Sequence, residues 1–171
     1  PYVRVEVAGR TVGEPATLTV LGQTLTGNFA FEQVTNAAGQ RVVRIGVSQV
    51  GLRIGDGSTD FVVLSDGNGA FVMTPAGMAG RIEATVSIPL IGFSGTLGLA
   101  INNTTARVNE RILVNGETLV VDLPAGPYLR VEGTNISLSI AGQSLSGDFS
   151  FERSTSTPTT GGAARTVVRV A

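Results

Sequence analysis

GQTLTGNFAFEQ at residues 22–33 and GQSLSGDFSFER at residues 142–153 are two versions of one pattern, and their reading decides the fold. In each, small or polar residues alternate with larger apolar ones: Leu25, Phe29 and Phe31 in the first, Leu145, Phe149 and Phe151 in the second. A period of two sends successive side chains to opposite faces, so each version is a strand with an apolar and a polar side. The Gly-Gln that opens it is a turn signal, and the alternating residues before it complete a hairpin.

Working outward, PYVRVEV at Pro1 returns as PYLRVEG at Pro127, and RVVRI at Arg41 returns as RTVVRV at Arg165. A step of 126 residues separates Pro1 from Pro127 and one of 125 separates Arg44 from Arg169, so the period is about 125. Self-similarity at a fixed spacing defines the unit that folds. Residues 1–126 are therefore expected to form one complete repeat, and residues 127–171 the start of a second, truncated one. The copies differ at RTVGEPA in the first and STSTPTTGGAA in the second, stretches of the kind where loops tolerate insertion.

A smaller unit recurs inside the period. An apolar residue is followed nine positions later by a glycine in Leu18–Gly27, Phe71–Gly80, Val86–Gly95 and Leu138–Gly147. This reads as one hairpin design used four times, its later glycine marking a bulge or a close backbone approach. Further strands are expected over Val3 to Val7, Val42 to Ile54, Asp60 to Ser65, Ile112 to Val114, Thr118 to Leu123 and Leu129 to Glu132. No segment combines helical apolar spacing with a cap. The expected fold class is all-β: antiparallel hairpin repeats forming an elongated β-sandwich or β-solenoid-like array, with essentially no α-helix.

Composition narrows the function. The chain of 171 residues has no cysteine, histidine or tryptophan, and its basic residues are all arginine. Disulfides, thiolate metal sites and the commonest general base are thereby excluded, and a serine nucleophile lacks both histidine and lysine to activate it. A net charge of −1 with no basic stripe argues against nucleic acid and anionic membrane as partners. No apolar run is long enough to span a bilayer as a helix.

The GQxLxGxFxFE hairpin, the LPAGPYxRVEG joint at 123–133 and the GNGAF and GFSGTLGLAINNTT stretches together resemble repeats of very large bacterial surface or secreted proteins. That resemblance implies an extracellular or cell-surface location, a spacer, adhesin or filament-like role, and neighbouring repeats or further copies of the same protein as partners. It implies no catalytic residues.

Two stretches offer a candidate calcium site, because hard cations want several oxygen ligands. GDGSTD supplies Asp56, Ser58 and Asp60, and SDGNG supplies Asp66 and Asn68, on two stretches expected to be loops, Gly55 to Asp60 and Ser65 to Gly69. The spacing fits neither an EF-hand nor a calcium-binding nonapeptide repeat, and Asp-Gly and Asn-Gly are also tight-turn signals, so plain turns are the favoured reading of these positions. Asn102, Asn103 and Asn135 open Asn-x-Ser/Thr patterns, expected to be unmodified strand ends. The Arg4–Glu6 and Arg130–Glu132 pairs lie two apart on one strand face and are expected to be solvated. The expected function is a non-enzymatic structural repeat, with no resident cofactor; the alternative is a calcium- or carbohydrate-binding adhesin module.

Overall fold

The computed structural model describes residues 2–11, 13–20, 23–35, 39–156 and 164–171. Gly22, Pro158 and most of the STSTPTTGGAA stretch, to which turn and loop roles were assigned, lie outside the described residues.

Among the described residues twelve strands follow one another: β1 (Val3–Val7), β2 (Ala16–Val20), β3 (Gln23–Thr35), β4 (Arg41–Gly55), β5 (Asp60–Thr74), β6 (Gly77–Ile88), β7 (Phe93–Asn102), β8 (Val108–Val114), β9 (Glu117–Leu123), β10 (Tyr128–Ile140), β11 (Gln143–Ser156) and β12 (Arg165–Val170). Among the described residues the only helical turn is a 3₁₀ turn at Pro89–Ile91. Ten strands form one antiparallel sheet in the order β1-β3-β4-β5-β6-β7-β10-β11-β12, with β2 beside β1 along the same edge of β3. The other two, β8 and β9, form a separate ribbon on that sheet. The fold is thus all-β and antiparallel as expected, two-layered in the manner of a sandwich, with a second layer of two strands.

Turn chemistry joins the hairpins. Asn115 and Gly116 (φ 45° and 82°) connect β8 to β9, and Ala141 and Gly142 (φ 50° and 78°) connect β10 to β11. Two residues at positive φ give the turn whose twist matches paired strands. The four hairpins expected from the nine-residue spacing are all present. Phe71 faces Gly80, and Val86 faces Gly95; in the other two, Gly27 faces Ala16 and Gly147 faces Ile136. At Gly80 an added Cβ would come within 2.2 Å of the Phe71 ring, so the glycine leaves room for the ring to lie over the neighbouring strand.

The long strands are broken by bulges. Register shifts fall at Val47/Val50 between β4 and β5, at Ser65/Asn68 between β5 and β6, and at Gly133/Ile136 between β10 and β11. Gln49, Asp66 and Asn135 hold the left-handed backbone there (φ 52°, 55° and 54°). Asp66-Gly67 is therefore a bulge inside β5, and the expected loop at Ser65 to Gly69 is replaced by continuous strand. In the first copy the bulge position of β10 corresponds to the stretch between β1 and β2, whose described residues 8–11 and 13–15 lie outside the strands.

Alternation is kept on both sides of the bulges, so the sheet has two chemically distinct faces. Along one lie Val5, Phe31, Ile45, Phe71, Ile101 and Leu129, in register. Along the other lie Glu6, Ala30, Gly46, Ala70, Arg81, Ala100, Arg130 and Glu152. The ribbon covers the second face, with β8 over β3 and β4 and β9 over β5, β6 and β7. Its inward Ile112, Val114, Val121 and Leu123 meet Ala30, Val42, Ala70, Val72 and Ala79 to make the core. Small residues beneath it let the layers close: a Cβ at Gly46 would lie 2.4 Å from Val114 Cγ2.

Candidate hairpin clamp and apolar face

The ribbon is held at both ends by polar groups. At its base, the buried Asn102 of β7 donates through Nδ2 to the Ala106 and Pro124 carbonyls (2.9 and 2.7 Å), and its Oδ1 accepts from the Thr104 N–H and hydroxyl (2.9 and 2.8 Å). Both chain segments that leave and rejoin the sheet are tied to one amide. Asn102 is therefore a buried anchor and its nitrogen is not accessible for glycosylation. Asn103 accepts from the Met78 N–H (2.5 Å), and the Asn135 N–H donates to Asp148 (2.6 Å).

At its tip, the turn reaches β1. Arg4 donates to the Leu113 carbonyl (2.8 Å) and to Glu6 (2.9 Å), while Glu6 accepts the Asn115 N–H. The Asn115 N–H, and after it Arg4, hold the Glu6 carboxyl below its ordinary value; Glu6 in turn raises the Arg4 guanidinium. Midway, Arg44 reaches from β4 to Glu110 of the ribbon (2.9 Å) and lies 3.6 Å from Glu32. The sequence places Arg4 and Glu6 on one face and suggests solvation. Their role as a clamp on the Asn-Gly turn was illegible, because it depends on a contact across more than a hundred residues.

The second copy repeats these groups. Arg130 pairs with Glu132 (2.7 Å), which raises its pKa, and Arg169 pairs with Glu152 (2.6 Å). Tyr128 donates to Glu152 (3.3 Å), and burial first, then the neighbouring carboxylate, raises its pKa. Tyr128, Glu152 and Arg169, together with Thr105, Pro124 and Ser154, line an open trough of about 590 Å³.

The four acidic and amide candidates are placed in two separate positions. Asp56 closes the β4–β5 turn: its Oδ1 accepts from the Ser58 N–H (2.9 Å), the Ser58 hydroxyl (2.8 Å) and the Thr59 N–H (2.8 Å), and these bonds lower its pKa. Asp60 pairs with Arg53 (2.7 Å). Asp66 and Asn68 sit further along β5 at the bulge, where Asn68 donates to the Asp66 carbonyl (2.9 Å) and accepts the Gln49 N–H (3.2 Å). Asp66 lies six positions along the strand from Asp60, roughly 20 Å. The structure does not bring the four together, and among the described residues no group of three or more acidic side chains is arranged to hold a metal ion.

The opposite face of the sheet carries its apolar side chains, and among the described residues no layer lies over them. Phe31 is 41 % exposed, Leu99 40 % and Phe149 44 %, although each lies on a strand with neighbours on both sides. Comparison with protein-family models, with curated proteins and with solved structures returns no match in any of the three.

Proposed function

We propose that this chain is a non-enzymatic structural repeat of a large extracellular protein, a spacer or fibre-building module whose partners are neighbouring repeats and further copies of itself. The observation that carries this reading is the joint between copies. β7 of the first pairs with β10 of the second through Leu129↔Ile101 and Val131↔Leu99, so one sheet runs from copy to copy without a break. The register also repeats: Val3↔Gln33 corresponds to Leu129↔Arg153, and Glu32↔Arg44 to Glu152↔Arg169. A unit that extends its own sheet builds length rather than a cleft. The extracellular placement rests on the resemblance of the repeat motifs.

The apolar face supports assembly between chains. Strands about 4.8 Å apart and 5 to 15 residues long, at about 3.3 Å per residue, give a face on the order of 1,700 Å². The largest apolar patch of a typical monomer is about 300–600 Å², and a stable interface needs about 800 Å² per partner. A second copy packed face to face, about 10 Å away, would bury it. A lipid partner fits less well, because hydrocarbon cannot satisfy the open edges of β1 and β12 or the charged opposite face.

Sedimentation velocity across a concentration series, with electron microscopy of the most concentrated sample, tests this. Self-association is expected, lost in the double variant Leu99→Lys, Val131→Lys while circular dichroism keeps its β signature. A monomer at every concentration, or binding to zwitterionic vesicles in place of self-association, overturns it.

A further inference from the structure

The two-stranded ribbon has two outer edges, and only one of them is blocked. Asn115 and Gly116 make a two-residue turn, so Val114 and Glu117 exchange both backbone hydrogen bonds. Every second pair does the same: Ile112 with Leu119, Glu110 with Val121, and Val108 with Leu123. The residues between them turn their backbone groups outward, Leu113 among them on β8 and Thr118, Val120 and Asp122 on β9. On the β8 side Arg4 donates to the outward Leu113 carbonyl (2.8 Å). On the β9 side the N–H and C=O groups of Thr118, Val120 and Asp122 have no backbone partner among the described residues.

A groove runs along that open edge. One part, of about 240 Å³, lies between Glu117–Val120 and the sheet residues Asn68, Ala70, Arg81 and Glu83. The other, of about 310 Å³, follows Asp122 and Leu123 over Gly98 and Ala100. Arg81 and Glu83 line both parts and join them, and no residue of β8 lines either. The floor belongs to β5, β6 and β7, each paired on both sides, and the wall is β9, paired with β8 over its full length. Small residues let the ribbon seat itself over Ala30, Gly46 and Ala70, and Gly98 and Ala100 continue that low floor beside it.

We propose that this groove is a β-augmentation site, in which an extended basic segment of another protein adds to β9 as a third strand of the ribbon layer. Its backbone bonds to Thr118, Val120 and Asp122, and its inward side chains rest on Gly98 and Ala100. Main-chain bonds give such docking its affinity and the flanking side chains its specificity. The charge of the occupant follows from the lining. Glu83 pairs with Arg81 (3.3 Å) and Asp122 with Arg107 (2.9 Å), which leaves Glu117 with no ion-pair partner among the described residues. An arginine or lysine at the end of the incoming strand supplies one.

The test uses the full isotope-labelled chain at low concentration and a capped synthetic peptide of alternating valine and threonine with arginine at both ends. In the free chain the Thr118, Val120 and Asp122 amides should exchange with solvent quickly, and those of Leu119 and Val121 slowly. Adding the peptide is expected to shift and protect those three amides and to shift Gly98 and Ala100. Methylating one inward-bonding amide nitrogen of the peptide weakens binding about tenfold, the loss of one hydrogen bond. Glutamates in place of its arginines weaken it as well, and so does Glu117→Gln in the chain. Val120→Pro abolishes binding at this edge while the β8–β9 bonds persist, because Val120 lies between two hydrogen-bonded pairs. No binding, equal binding of the methylated peptide, or shifts at β1, β12 or the apolar face with none at β9 overturns the proposal. These readouts stand whether or not the module self-associates.

Discussion

At Gly46 a side chain would enter space that Val114 and Ile112 of the ribbon already fill. Gly46→Val is expected to destabilise the fold by about 1–3 kcal/mol, as overpacking does, which a shifted chemical-denaturation midpoint at constant slope will show. Asn102 carries the opposite kind of constraint, since it satisfies two carbonyls and Thr104 from a fully buried position. Asn102→Leu keeps its volume but strands those partners, at a cost of about 2–3 kcal/mol in the same measurement. Glu6 gives a pH dependence with a definite sign. Its carboxyl is held below the ordinary value of 4.5, so its contribution is complete above that pH and is lost as pH falls through the lower, folded value. Hydrogen exchange should show the Asn115 amide losing protection on acidification below 4.5, and Glu6→Gln removing the dependence.

The elements show which features of the chain could be read in advance. Strands such as β1, and the four hairpins with a later glycine, were legible because alternation and turn residues act over a few neighbours. Asp66-Gly67 misled for the same reason: the dipeptide that makes tight turns also suits a bulge, and which one forms depends on β4 and β6 pairing alongside. The ribbon's place over the sheet was invisible, because small residues at Ala30, Gly46 and Ala70 mean a close approach only once the register aligns them. The candidate site fared similarly. Asp56 was marked correctly as a turn residue, whereas the clamp at Arg4 and Glu6 needed a partner from β8. The bulge reading predicts that Asp66→Asn is nearly neutral, since asparagine accepts positive φ, whereas Asp66→Ile costs about 1–2 kcal/mol. Thermal melts of the two variants with and without calcium will check it; loss of a calcium-dependent shift in Asp66→Asn would contradict the bulge role.

For the whole molecule the separation of its faces sets behaviour in solution. The association proposed through Phe31, Leu99 and Val131 is a hydrophobic one, so it should strengthen in sulfate and resist sodium chloride, which screens only exposed charges. Sedimentation in the two salts separates this from pairing driven by Arg and Glu. If sodium chloride dissolves the assembly, the polar face has formed it.

The order of strands has a mechanical consequence. The described chain begins at β1 on one edge of the sheet and ends at β12 on the other, with the strands lying across the line that joins them. Tension between the two ends therefore loads the hydrogen bonds of neighbouring strands one after another, as a zipper opens, and never shears a whole ladder at once. Pulled in this direction the chain should lengthen at low force in steps of one strand or hairpin, and recover as readily because each strand re-pairs with the one before it. Anchored in series, such units would act as an extensible tether that absorbs sudden loads, which force spectroscopy on a tandem polymer of this chain can measure directly.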